Sequence, residues 1–218
     1  MAPPPSALAQ TPLVILGGGG HALVVAEAAR ATGHQIVGFL DDNPDAVMSH
    51  QPDATLWIGP SSAFDAIGDR PWIMGFGNLA FREQVIHRLD QLELARSART
   101  VIHPTAYVSP TARIGRGVFI GPRAVVHTRA TVLDHAIVNT GAIVEHECHV
   151  GVNAHIAPGA VLAGGCRVGT SALVGVGARL LPMLSVGDGC VVGAGAVVIK
   201  SVVEGVVMGV PARGPRRP

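Results

Sequence analysis

A six-residue hydrophobic period covers almost half of the chain. From Val101 to Val202, seventeen hexads follow one another without insertion, and the second position of each is Ile, Val or Leu. The sixth position is small in most hexads, with eleven Ala, three Cys, two Val and one Leu. An amphipathic α-helix would repeat its apolar positions every ~3.6 residues. The fixed period of six instead predicts a β-helix solenoid, in which each coil stacks on its neighbours.

Turn-forming residues fill the third to fifth positions of the hexads. Gly, Pro, Asn and Asp recur there, as at 115–117, 151–153 and 187–189. These residue types tolerate the backbone angles of tight turns, so these positions should be corners. One aliphatic side chain per hexad then points inward, and the small sixth position faces a confined space.

The first hundred residues follow a different pattern, in which short apolar runs alternate with helical segments. This alternation predicts a parallel sheet in a small Rossmann-like α/β domain. Gly33 suits the position just after the first helix, and Ser61 or Ser62 suits the N-cap of the second. The predicted strands are 13–16, 36–40, 57–58 and 72–76, and the predicted helices are 22–32, 61–67 and 77–89.

Candidate ligand-binding residues lie where the predicted strands end. They are the Gly17–His21 turn, Asp41 with Asp42, and Gly75–Asn78 with Arg82 one turn later. The free N–H groups of a helix that follows a glycine turn suit a phosphate. An acidic residue about 20 positions later could hold a ribose, so NAD is a competing ligand. A domain ending near residue 100 is short for two mononucleotide-binding halves, and a tight turn that binds nothing is the plain alternative.

Composition narrows the class of protein. The 218 residues carry a net charge of +1 without long charged blocks, which argues against nucleic acid and gives no membrane-surface signal. Mean hydropathy is +0.41, yet the apolar runs are far shorter than the ~20 residues of a membrane span.

Cys148, Cys166 and Cys190 occupy sixth positions of their hexads and are interpreted as small core residues, whose reduced thiols fit the cytoplasm. Residues 1–11 are expected to be a disordered lead rather than a signal peptide.

Five motifs together resemble one group of bacterial enzymes. They are GGGGH at 17–21, FLDD at 39–42, GFGNxxxR at 75–82, NTGAIVEHEC at 139–148 and MGVPAR at 208–213. The chain resembles the hexapeptide-repeat nucleotide-sugar acetyltransferases, which include bacillosamine-type and perosamine-type N-acetyltransferases and the sialic acid O-acetyltransferase group. The resemblance implies a nucleotide-sugar-binding domain at 12–99, a left-handed parallel β-helix at 100–204 with three hexads per coil, and a tail at 205–218.

The resemblance also implies the reaction. An amine of a nucleotide-linked 4-amino-4,6-dideoxy sugar would attack acetyl-CoA directly, without a permanently bound cofactor. His146 would be the general base and Glu147 its orienting partner, because a carboxylate fixes the tautomer of an imidazole. Asn139 would help to position the reacting groups, and the N–H of Gly164, one coil after His146, would stabilise the oxyanion.

Binding residues follow from the same resemblance. Those expected at the nucleotide sugar are Gly19, Gly20, His21, Asp41, Asp42, Gly77, Asn78 and Arg82. Those expected at acetyl-CoA are His155, Gly164, Gly175, Ala178, Gly193, Ala196, Lys200 and Arg213.

Further expectations concern assembly, metal and rival activities. The family forms homotrimers with active sites between chains. Zinc is not expected, because the carbonic-anhydrase branch of this solenoid needs two His five residues apart and no pair here has that spacing. An O-acetyltransferase using the same His, or a non-enzymatic nucleotide-binding solenoid, are the alternative functions.

Overall fold

The N-terminal part is a four-stranded parallel sheet flanked by helices. The computed structural model describes residues 11–51, 55–207 and 209. The sheet order is β3-β2-β1-β4, and α1 and α2 follow β1 and β4 in the chain. The elements are β1 Thr11–Leu16, α1 Gly20–Ala31, β2 His34–Leu40, β3 Trp57–Gly59, β4 Trp72–Met74 and α2 Leu79–Gln91, with 3-10 helices at Val47–His50, Phe64–Ile67 and Leu94–Ser97.

Local sequence explains where these helices begin and end. Asn78 caps α2, since its side-chain oxygen accepts the N–H of Phe81 at 3.0 Å. Gly33 closes α1 with a φ of 84°, and its N–H reaches the carbonyl of Arg30 at 3.0 Å. The expected role of Gly33 is therefore confirmed, because glycine adopts this left-handed conformation without steric cost.

The segment 61–67 differs from its prediction. Only Phe64–Ile67 is helical, as a 3-10 turn, and Ala63 precedes it without any side-chain cap. Ser61 instead donates both its N–H and its hydroxyl to Oδ1 of Asp42, at 2.9 and 2.6 Å. Predicting Ser61 or Ser62 as an N-cap was wrong because this acceptor lies on the neighbouring strand connection, far away in sequence.

Every hexad between 101 and 202 forms one short strand at its first two positions. The strands are β5 Val101–Ile102, β6 Tyr107–Val108, β7 Arg113–Ile114, β8 Phe119–Ile120, β9 Val125–Val126, β10 Thr131–Val132, β11 Ile137–Val138, β12 Ile143–Val144, β13 His149–Val150, β14 His155–Ile156, β15 Val161–Leu162, β16 Arg167–Val168, β17 Leu173–Val174, β18 Arg179–Leu180, β19 Ser185–Val186, β20 Val191–Val192 and β21 Val197–Val198, and β22 Val206–Val207 follows the last hexad.

The strands stack into a three-sided prism. From β5 to β21, strands three places apart in the chain pair in parallel, which makes one coil of three hexads, and β22 pairs with β20. The five-stranded face runs from β7 to β19, the six-stranded face from β6 to β21, and the seven-stranded face from β5 to β22. Second and sixth hexad positions form one buried core that includes Cys148, Cys166 and Cys190, all free thiols. The interpretation of the cysteines as small core residues is confirmed.

The sheet domain packs on the seven-stranded face of the prism. Helix α1 covers Val101, Phe119 and Ile137, the outward residues of the first coils, and joins them in one hydrophobic cluster. Trp72 of β4 stacks on the ring of His135 at a centroid distance of 5.7 Å. Within the described residues no helix is long and apolar enough to cross a membrane. The predicted division at 99 and 100, the lead at 1–11 and the tail from 205 remain predictions. Most of that lead and tail, residues 1–10, 208 and 210–218, lies outside the described residues.

Candidate active site

A cavity of about 750 Å³ opens where α2 meets the seven-stranded face. One wall is the start of α2, including Gly77 and Asn78. The floor continues the row of outward residues beyond α1, with His155, Leu173 and Val191. Five of the predicted binding residues line this single space: Gly77, Asn78, His155, Gly175 and Gly193. The structure therefore brings part of the predicted nucleotide-sugar set and part of the predicted acetyl-CoA set together.

Asn139 and His155 form a hydrogen-bonded pair whose protonation follows from geometry. The side-chain oxygen of Asn139 accepts the N–H of Thr140 at 2.8 Å, which fixes the orientation of the amide. Its nitrogen then faces Nε2 of His155 at 3.1 Å and must donate. Nε2 of His155 is therefore an acceptor and the imidazole is neutral. Burial, followed by the charge of Arg82, lowers the pKa of His155 to about 4, which agrees with this assignment.

His21, in the first turn of α1, lies on the sheet-domain side of the junction, near His155. Its ring lies 6.4 Å from that of His155 and meets Phe119 edge-on at 5.5 Å. Burial, then Arg82 and His155, lower the pKa of His21 to about 4. Its Nε2 is buried without a hydrogen-bond partner among the described residues. A neutral imidazole with a free nitrogen thus stands at the junction of the two parts of the chain.

The glycine turn leaves N–H groups available at the start of α1. Gly18 donates to Asp41 at 2.7 Å, whereas the N–H groups of Gly19 and Gly20 find no acceptor within the described residues. Nothing lies within 4 Å of where a Cβ would stand on Gly19 or Gly20. This arrangement suits an anion such as a phosphate, as predicted from the sequence.

The two aspartates after β2 have different surroundings. Both oxygens of Asp41 accept backbone N–H groups, from Gly18 at 2.7 Å and Asn43 at 2.9 Å, so its carboxylate serves the turn itself. Asp42 uses only Oδ1, toward Ser61. Those hydrogen bonds from Ser61 lower the pKa of Asp42, so it is ionised at neutral pH. Asp42 is exposed, and its Oδ2 has no hydrogen-bond partner among the described residues. Asp42 is thus the better placed of the two for a ligand.

His146 stands at an exposed corner of the prism between the six-stranded and five-stranded faces, here called the His146 corner (residues 145–147 and 163–165). Its Nδ1 lies 3.2 Å from Oε2 of Glu147. A carboxylate can only accept, so Nδ1 carries the proton and Nε2 is free to act as a base. Glu147 also bonds to Arg129, one coil earlier. The hydrogen bond from His146, and then the charge of Arg129, lower the pKa of Glu147.

Gly164 lies against the ring of His146, as the 18-residue register predicts. A Cβ on Gly164 would stand 2.5 Å from both Cε1 and Nε2 of His146. The neighbouring Gly165 donates its N–H to the carbonyl of His146 at 2.9 Å, which locks the two corners together. The N–H of Gly164 itself has no acceptor within the described residues. A residue with a free N–H group thus lies against an imidazole with a free nitrogen.

Within one chain the His146 corner and the His155 group do not meet. Asn139 lies at the corner between the seven-stranded and six-stranded faces, and β12 separates it from His146. The two groups thus occupy opposite ends of one side of the triangular prism. The structure thus separates these predicted residues into two groups, called half-sites below. His146 and Glu147, predicted as catalytic, lie with the predicted oxyanion donor Gly164 in one, and Asn139, predicted as catalytic, lies with the predicted acetyl-CoA-binding His155 in the other.

The remaining predicted residues are placed as follows. The side chains of Ala178 and Ala196 face the core, and their N–H groups bond to Gly175 and Gly193, so neither offers a free polar group. Lys200 is exposed at the corner of the last hexad, after β21. Arg213 lies outside the described residues.

Arg82 is not at the surface of the nucleotide region. It is 1% exposed, and its guanidinium donates to protein acceptors only, on Phe76, His135 and Asn153. Its position at the end of the GFGNxxxR motif gave no sign of this. The predicted contact of Arg82 with the nucleotide stays a prediction, although its donors are engaged elsewhere.

The chain was compared with known families and structures. A model described as the PglD N-terminal domain matches residues 12–89. PerB, the perosamine N-acetyltransferase from Caulobacter crescentus, solved with CoA and GDP-perosamine, is 33% identical over 92% of this chain and 95% of its own, with a TM-score of 0.82. The acetyltransferase domain of PglB from Neisseria gonorrhoeae, solved with acetyl coenzyme A, is 34% identical over 94% and 98%, with a TM-score of 0.83.

The chain belongs to the hexapeptide-repeat nucleotide-sugar N-acetyltransferases. Its prism is the left-handed parallel β-helix of that family, so the fold class expected from the hexads is confirmed. Among the residues that the structure describes, no three His, Cys, Asp or Glu side chains form a group that could hold a metal ion.

Two residues that contact the predicted site residues were not predicted from the sequence. Arg129 lies 18 residues before Glu147, and Asn153 lies in a corner triplet that was identified only as a turn. Arg129 could have been predicted from the 18-residue register, because residues 18 apart occupy the same corner in adjacent coils. Nothing local marks Asn153, whose partners come from α2.

Proposed function

We propose that this chain is an acetyl-CoA-dependent N-acetyltransferase whose acceptor is a nucleotide-linked 4-amino-4,6-dideoxy sugar. The observation that carries the proposal is the His146 corner, where a carboxylate-oriented imidazole has its free Nε2 beside the free N–H of Gly164. That combination supplies a base and an oxyanion donor, which are the two groups that acyl transfer to an amine requires. The likeness to PerB and PglB supports the same reaction.

The sheet domain would hold the nucleotide. The free N–H groups of Gly19 and Gly20 suit the diphosphate, and the ionised Asp42 suits a hydroxyl or N–H donor of the nucleoside. The cavity of about 750 Å³ would take the pantetheine arm of acetyl-CoA along His155, Gly175 and Gly193. Its mostly apolar floor matches a chain of methylene and amide groups.

In the reaction, the amine nitrogen of the sugar attacks the thioester carbonyl carbon. Nε2 of His146 takes the proton that the nitrogen loses as the C–N bond forms, while the carbonyl oxygen becomes an oxyanion facing the N–H of Gly164. When the oxyanion collapses, the C–S bond breaks and His146 returns the proton to the sulfur of CoA. Glu147 stays ionised throughout and holds the imidazole in the required tautomer. No acyl-enzyme forms.

We further propose that the working unit is a homotrimer. The two half-sites of one chain lie at opposite ends of one prism side, so a complete site needs the His146 corner of one copy to face the cavity of another. Exposed apolar residues beside that corner support this contact: Leu181 is 47%, Met183 77%, Val197 59% and Ile199 66% exposed. Such a patch is unusual on a surface that stays in water. The reduced thiols favour a cytoplasmic reaction.

The test is the variant His146→Ala. We expect it to lose at least about a hundredfold in kcat, the contribution typical of a general base, while it binds the nucleotide sugar with unchanged affinity. A paired assay of an amino sugar and its hydroxyl analogue, each linked to the same nucleotide, separates N-acetylation from O-acetylation. Wild-type turnover by His146→Ala, or preference for the hydroxyl analogue, would overturn the proposal.

A further inference from the structure

Arg82 joins the sheet domain to the prism from a fully buried position. Its Nε donates to Oδ1 of Asn153 at 2.8 Å and its Nη1 to the carbonyl of Phe76 at 3.0 Å. Its Nη2 donates to the carbonyl of His135, on the corner below Asn153. One side chain of α2 thereby binds two successive coils of the prism and the strand connection that leads into its own helix.

Asn153 extends this connection to both walls of the cavity. It is 1% exposed, and its amide nitrogen donates to the carbonyl of Leu79 and to Oγ of Ser171, each at 3.1 Å. Leu79 belongs to the wall formed by α2, and Ser171 belongs to the wall formed by the prism. The bonds with Arg82 and Leu79 thus cross from the prism to the α2 wall, and the bond to Ser171 anchors Asn153 to the next coil of the prism.

Energetics argue that the arrangement is not simply a stabilising contact. Within the described residues no carboxylate lies in ion-pair distance of Arg82, and burial lowers its pKa to about 9, so it remains a cation at neutral pH. A buried cation without a counter-charge is costly, and apolar replacements of buried ions are often neutral or stabilising. A guanidinium can donate several hydrogen bonds in a fixed planar geometry, whereas an apolar side chain can donate none.

We propose that Arg82 and Asn153 are positioning residues that set the width of the acetyl-CoA cavity by holding the first turn of α2 against the prism. This inference rests on the proposed function, in which that cavity takes acetyl-CoA. The glycine turn and Asp42, which would take the nucleotide, lie outside the clamp formed by Arg82, Asn153, Leu79 and Ser171. Gly77 and Asn78, which are also expected at the nucleotide sugar, adjoin the clamp. Loosening the clamp therefore weakens acetyl-CoA binding strongly and nucleotide binding only slightly.

The decisive variant is Asn153→Asp. The carboxylate keeps an acceptor for Arg82 and supplies a counter-charge. It cannot donate to the carbonyl of Leu79, whereas the hydroxyl of Ser171 can turn and donate to it. We expect about a tenfold rise in the KM for acetyl-CoA and in the calorimetric Kd for CoA, since the bond to Leu79 is lost and a buried hydrogen bond is worth about that factor. The KM for the nucleotide sugar should change less than about twofold. Ser171→Ala, which removes one of the two bonds, should give a smaller rise, and Arg88→Met, at an exposed arginine of the same helix, should give none.

Hydrogen exchange of the amides at 79–83 supplies a second measurement that does not depend on activity. Faster exchange there in Asn153→Asp, with unchanged exchange in β1, supports the clamp. Equal weakening of both substrates, or wild-type CoA affinity in a folded Asn153→Asp, would overturn the proposal. If the wild-type chain binds no CoA, the proposed function fails, and the exchange data still decide whether the clamp holds α2. If Asn153→Asp does not fold, Ser171→Ala carries the same comparison.

Discussion

Replacing Gly164 by Ala should disable His146 without disturbing the fold. The new Cβ would stand 2.5 Å from Cε1 and Nε2 of the imidazole. Carbon contacts are comfortable only from about 3.5 Å, so the ring must retreat by about 1 Å. The ring can do so, because the side chain of His146 is 57% exposed and Gly164 has no positive φ that alanine would strain. A misplacement of about 1 Å can cost about a hundredfold in rate, which corresponds to about 2.7 kcal/mol of activation free energy.

The assay is steady-state kinetics on Gly164→Ala, His146→Ala and the double variant, with thermal unfolding as the check on folding. We expect Gly164→Ala to lower kcat about a hundredfold while Tm stays within about 2 °C. If the methyl group acts through the ring, the double variant should be no slower than His146→Ala alone, because the second change has nothing left to displace. Fully additive losses in the double variant, or wild-type kcat in Gly164→Ala, would refute the reasoning.

Two further predictions concern stability. The pKa values of His21, His135 and His155 fall from 6.5 to about 4 on folding, mainly through burial, so the unfolded chain binds more protons between these values and stability is lost as pH falls from about 6.5 toward 4. Each histidine contributes a slope of up to about 1.4 kcal/mol per pH unit, and a Tm that is the same at pH 7 and pH 5 would contradict this. Leu162→Ala should cost about 2–5 kcal/mol in the free energy of unfolding measured with denaturant, because Leu162 is 0% exposed in the prism core. Leu56→Ala, at a side chain that is 63% exposed, is the control and should stay within about 0.5 kcal/mol.

Within one chain, the two half-sites lie at opposite ends of one side of the prism. The complete active site of the proposed reaction therefore needs a second copy of the chain. His146 and Gly164 would supply the base and the oxyanion donor of the proposed reaction, and the side chain of His146 is 57% exposed. The neutral pair of Asn139 and His155 adjoins the cavity at the other end of β12. A second copy that brings these together would bury the exposed apolar residues of the His146 corner at the same time.

Elements governed by neighbouring residues were predictable from the sequence. The hexad period determined every strand between 101 and 202, the buried cysteines and the stacking of Gly164 on His146, because each coil repeats one local geometry. Asn78 and Gly33 likewise act on groups within four residues of themselves. Such contacts depend on short-range backbone geometry, which sequence patterns encode directly.

Contacts between distant segments were decided by the tertiary structure alone. Ser61 turns to Asp42 rather than to its own helix, and Arg82 reaches Asn153, which is 71 residues away. The hydrogen-bond partner of a buried polar side chain depends on which surfaces fold against each other, and no local pattern records that. The sequence by itself therefore determined the prism and the corner that carries His146. The docking of the sheet domain decided the cavity, the clamp around Arg82 and the neutral state of His155, because burial at that junction creates all three.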